Sequence, residues 1–174
     1  MSNFFETNRT NLENFRRVSG TVGARADYVQ GGGGNTSVKL DGGLMAIKAS
    51  GYCLKDIDVD KAYAVLDYVS LRDFYNNTDP KTLDDVEKTG SERAKASIQT
   101  IEGLAALRPS VEAGFHSILR KFVCHTHSVY ANFACCSTPI WPPVLRTAAR
   151  SSPGRWRART TPGASCPTPI PARA

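Results

Sequence analysis

At Cys136 the chemistry of the chain changes, and that boundary limits what can fold. From Ser137 to Ala174 the sequence carries eight of the ten prolines and six arginines, with neither a lysine nor an acid. It shows neither the 3.6-residue nor the two-residue apolar period, so it offers no helix stripe and no strand face to bury. All 16 acidic residues stand before it, matched there by an equal number of Lys and Arg. The net charge of +6 therefore belongs to the tail and says nothing about a folded surface. The reading is a partial domain over 1–136 and a Pro/Arg-rich tail over 137–174. The tail is either disordered or the product of a shifted reading frame near Cys136.

The remaining composition narrows the classes. With 174 residues the chain is long enough for one domain with a hydrophobic core. It has no run of about 18 apolar residues, so no membrane span is expected. The start, MSNFFETNRTNLENF, lacks the basic and apolar regions of a signal peptide, and a cytoplasmic location is expected. Cys53, Cys124, Cys135, Cys136 and Cys166 are odd in number and show no CxxC spacing, which argues against a disulfide framework or zinc knuckle. A nucleic-acid partner is not expected. The arginine tail has no interleaved aromatics apart from Trp156, and the balanced part has no basic excess.

Periodicity predicts helices over Thr7–Val18, Asp60–Tyr75, Ser91–Leu107 (one helix or a pair), Val111–Leu119 and from Ser128 to Cys136. Strands are predicted at Thr36–Leu40 and Leu44–Lys48, joined by a turn at Asp41-Gly42-Gly43, and at Lys121–His127.

Three groups of residues carry possible chemistry. His125 and His127 stand two apart, which on a strand places both imidazoles on one face, ready to converge on a metal; Cys124 then faces away toward the core. The plainer meaning is two hydrogen-bonded histidines at a strand end. Glu112 and His116 have the i, i+4 spacing of one helix face. Glu112 is a general acid/base if near a metal, or merely a favourable charge at a helix start. In GGGGNTSVKL the glycines let backbone amides approach an anion, or simply make a flexible loop.

The order of the pieces is more specific than any one of them. GGGNTSVKL, IKASG, PSVE, a helix and HTHSVYAN together resemble the class II aldolase/adducin family from about Val18 to Cys136. The spacing is most similar to the aldolase part of bifunctional rhamnulose-phosphate aldolase/dehydrogenase proteins. The resemblance implies an α/β fold with a central, mainly antiparallel sheet flanked by helices. In this chain that sheet is expected to be incomplete at the C-terminal end and to expose an edge. It implies zinc on His125 and His127 and Glu112 as acid/base. It implies a substrate phosphate held by Gly34, Asn35, Thr36, Ser50, Gly51 and Ser110. Val111 stands where many relatives carry a second serine. The family's third metal histidine lies downstream of HTH, and no histidine follows His127 here. The implied function is zinc-dependent aldol cleavage of a sugar phosphate, in a homo-oligomer. The alternatives are a sugar-phosphate epimerase, toward which an aspartate at position 112 would have pointed, and a non-catalytic, adducin-like binding protein. With that ligand missing, the expectation for this chain is a weak two-histidine site and little or no aldol cleavage.

Overall fold

A short helix α1 (Phe4–Thr7) leads into α2 (Arg9–Gly23), whose Leu12, Phe15 and Ser19 turn one face inward. The computed structural model describes residues 3–136; the tail over 137–174 lies outside the described residues. Strand β1 (Asn35–Lys39) pairs antiparallel with β2 (Leu44–Lys48) through a 3-10 turn at Asp41–Gly43. Strand β3 (Tyr63–Asp67) continues the meander, followed directly by α3 (Tyr68–Asn77). Then come α4 (Val86–Ala96), α5 (Ala113–Ile118), strand β4 (Phe122–His125) and α6 (Val129–Cys136). The sheet order is β3-β2-β1-β4, antiparallel throughout.

Alternation along the strands builds two cores. Val38, Ala46 and Val65 pack with Leu12 and Phe15 of α2. Their neighbours Met45, Ile47 and Leu66 pack on the other side with Leu71 of α3, Ala94 of α4 and Ala113 next to Glu112. Helices thus cover both faces of a central antiparallel sheet, as expected from the sequence. Among the described residues no helix is long and apolar enough to cross a membrane.

Two of the expected helices are corrected. Asp60–Tyr75 contains β3 before α3 begins. The run Tyr63-Ala64-Val65-Leu66 is buried on both sides, and an unbroken apolar run fits a buried strand as well as a helix stripe. Asp67 marks the switch, because its carboxylate accepts from the amides of Val69 and Ser70 and caps α3. The helix expected over Ser91–Leu107 starts earlier, with Asp85 accepting from the Lys88 amide, and stops at Ala96. Beyond it the backbone turns to β3: Asp67 N–H donates to Ser97 O at 2.8 Å and Gln99 N–H to Val65 O at 2.8 Å. These sheet-like bonds take the groups a longer helix would have used.

Strand β4 is the outer strand on the β1 side. Cys124, expected in the core, is exposed, because the face of β4 it shares with Phe122 is not covered. Val111, Phe115 and Leu119 near α5, and Val129 and Tyr130 on α6, are also exposed.

Candidate active site

The site forms where the start of β1 meets the end of β4. Asn35 pairs with His125 across that seam. Gly34 comes just before it, at φ +71°, where a Cβ would lie 2.5 Å from Val29 Cγ1 and 3.0 Å from the His125 carbonyl oxygen. Only glycine fits there. At Gly33 a Cβ would come within 2.9 Å of His127 Nδ1, so that imidazole rests on bare backbone. Gly33 and Gly34 are therefore a cradle for the histidine segment.

Glu112 stands directly before α5 but does not cap it with its side chain. Its carboxylate is held in three other contacts. Asn35 Nδ2 donates to Oε2 at 3.0 Å, Ser110 Oγ donates to Oε2 at 3.3 Å, and His125 Nδ1 lies 2.8 Å from Oε1. Burial pushes the carboxyl up, but the Asn35 bond and the His125 imidazole together outweigh it, and the net shift is downward. An ionised carboxylate only accepts, so Nδ2 of Asn35 must face it. That leaves Asn35 Oδ1, fully buried, with no hydrogen-bond partner.

Strand β4 ends at His125, so His127 lies just past it instead of on the same strand face. The two rings still meet, with centroids 5.0 Å apart. Glu112, His125 and His127 each offer one ligand atom, all within 4.8 Å of one another. Three atoms about a tetrahedral zinc sit about 3.4 Å apart, given bonds near 2.1 Å. Two imidazoles beside a carboxylate suit zinc and similar divalent ions. With Nδ1 of His125 on Glu112, its Nε2 is the nitrogen left for an ion.

The other expected residues divide. Ser110 joins the cluster through Glu112, its Oγ also accepting from the Glu112 amide at 3.4 Å. Ser50 and Gly51 are brought alongside by an antiparallel bridge from Ala49 to Pro109. Thr36 is not brought in by its side chain. It points to the opposite face of the sheet, where its hydroxyl bonds Ser19 Oγ at 2.7 Å. His116 is buried between sheet and helix, Nδ1 at 2.7 Å from Ser37 Oγ, and burial pulls its pKa down to about 4. Sequence reasoning missed Lys48. Its ammonium is buried and donates to Gly32 O at 3.1 Å and Tyr52 O at 2.8 Å, tying the glycine loop to the Ser50-Gly51 loop. A lysine closing an otherwise apolar strand was the available signal.

The model of the Class II Aldolase and Adducin N-terminal domain matches residues 19–164. The chain belongs to this family. The match of this class II aldolase/adducin domain continues past Cys136, where the composition changes. A search of curated proteins found no match. Among solved structures, the domain is similar to the N-terminal Class II Aldolase domain of a conserved protein from Thermoplasma acidophilum. That domain is 22% identical with a TM-score of 0.64, over 79% of this chain and 63% of the other, a likeness of fold. The class II aldolase/adducin chain thus spans under two thirds of that structure's length. YgbL from Klebsiella pneumoniae, described as "a putative aldolase/epimerase/decarboxylase", is 18% identical with a TM-score of 0.46, over 75% of this chain and 52% of the other.

Proposed function

We propose that the site performs metal-assisted cleavage of a carbon–carbon bond in a sugar phosphate, with Glu112 as acid/base and zinc on His125 and His127. The observation that carries this is the convergence of Glu112, His125 and His127 from distant parts of the chain onto one place. Zinc, when bound, supplies a Lewis acid for the negative charge that develops beside a carbonyl as the bond breaks.

The chain's own residues do the rest. Glu112 carries the proton, and Asn35 and Ser110 hold Oε2 so that the carboxylate cannot swing away. Gly33 and Gly34 keep the backbone low enough for the imidazoles to stand over the substrate.

The test is release of aldehyde from a panel of ketose phosphates, by zinc-loaded and chelator-treated protein. Cleavage is expected only with zinc. Glu112→Gln is expected to lower it by about 10²–10⁴ while zinc still binds. Loss of zinc affinity in that variant would instead make Glu112 a ligand. No cleavage of any ketose phosphate by zinc-loaded protein would sink the reading.

A further inference from the structure

We infer that Arg108 gives the pocket beside Glu112 its specificity for a phosphate monoester. The inference deepens the proposed reading and rests on it for the reaction, though not for the binding.

The residues that the family resemblance supplies for a phosphate, Gly34, Asn35, Thr36, Ser50, Gly51 and Ser110, are all neutral. Three of them are already engaged, Thr36 on Ser19, and the Asn35 amide and the Ser110 hydroxyl on Glu112. A phosphate leaving water needs charge as well as hydrogen bonds. Lys48 does not supply it freely, since its ammonium is buried on two backbone carbonyls.

Arg108 does. Its Nη2 donates to Ser50 Oγ at 3.1 Å, and its own carbonyl accepts the Ser50 amide at 2.9 Å. The residue is thus tied to a proposed phosphate residue at two points, once by its side chain and once by its backbone. The Ser50 bond takes one of five guanidinium N–H groups. Among the described residues no acid lies within ion-pair distance of Arg108. The side chain lines a cavity of about 80 Å³ together with Lys95, Ser91 and Ser110, and no acid faces it. That is the room of two to three waters at about 30 Å³ each, the size of one phosphoryl group. Ser110 is the hinge of the arrangement, because its hydroxyl also touches the Glu112 carboxylate. A phosphate seated by Arg108 therefore holds the carbons of its ester toward Glu112. The guanidinium fork matches two phosphate oxygens at once, which an ammonium cannot do.

The experiment titrates the full chain calorimetrically with inorganic phosphate, with acetate at equal ionic strength, and with Zn²⁺. Wild type is expected to bind phosphate over acetate. Arg108→Gln is expected to weaken phosphate by about 10- to 100-fold, the range for a charge-assisted bond, and leave the zinc titration unchanged. Arg108→Lys keeps the charge without the fork and is expected to recover part of the loss. Unchanged phosphate affinity in R108Q, no binding by wild type, or equal binding of acetate would overturn the inference. Phosphate binding that depends on Arg108 in a protein that cleaves no ketose phosphate would sink the aldolase reading and leave Arg108 standing. Cleavage with an unchanged KM in R108Q would do the reverse.

Discussion

His116 shows how one buried side chain makes stability depend on pH. It is 2% exposed, bonded to Ser37, and pulled down to about 4 from an ordinary histidine value near 6.5. The unfolded chain therefore binds a proton in the window from about 6.5 to 4 that the folded chain refuses. Stability is full above that window and falls as pH drops through it, by about 3 kcal/mol at most. Urea unfolding with a chelator present, so that no metal adds its own pH dependence, is expected to show this slope, and His116→Asn to flatten it. An equal slope in both proteins would assign the effect elsewhere. At this scale the sequence was legible for residue type and not for direction. Asn35, Thr36 and Ser37 are consecutive, yet the strand sends Asn35 to Glu112, Thr36 to Ser19 and Ser37 to His116. A motif written as a string of letters does not say which hydroxyl turns inward.

Helix α5 is six residues long, too short to hold itself. Its C-terminal end is gripped by Lys39, whose ammonium donates to the carbonyls of His116 at 2.8 Å, Leu119 at 2.6 Å and Arg120 at 2.9 Å. A cation there satisfies orphan carbonyls and opposes the helix dipole. Lys39→Met is expected to destabilise the protein by about 1–3 kcal/mol, read as a lower urea midpoint. An unchanged midpoint would remove Lys39 from this role. The meander of β1 and β2 was legible to within a residue, because alternation and a glycine turn are local signals. β3 was not, because its identity rests on Asp67 capping the next helix and on 97–99 lying against its edge. The metal cluster was half legible. The two histidines stood in one tripeptide, while Glu112 arrives through the fold.

Viewed whole, the described domain is a local meander, β1-β2-β3, completed by a strand from far along the chain. β4 pairs with β1, and Asn35 reaches Glu112 across 77 residues. Among the described residues β4 is the outermost strand on its side of the sheet, and the apolar residues Phe115, Leu119 and Phe122 are exposed. The seam between β1 and β4 is also where the site sits, which ties the chemistry to the order of folding. Closing so long a loop costs entropy before any contact returns it, so β4 is expected to dock last and open first. Amide hydrogens at Val123 and Cys124 should then exchange faster than those at Ala46 and Ile47. Zn²⁺, held by His125 at the end of β4 and by His127 just past it, should slow them more than any others; equal protection with and without the ion would separate metal binding from β4 docking. The clasp that gathers the proposed site residues would on this view also be the latch of the fold, so that a chain with its site assembled is a chain that has finished folding.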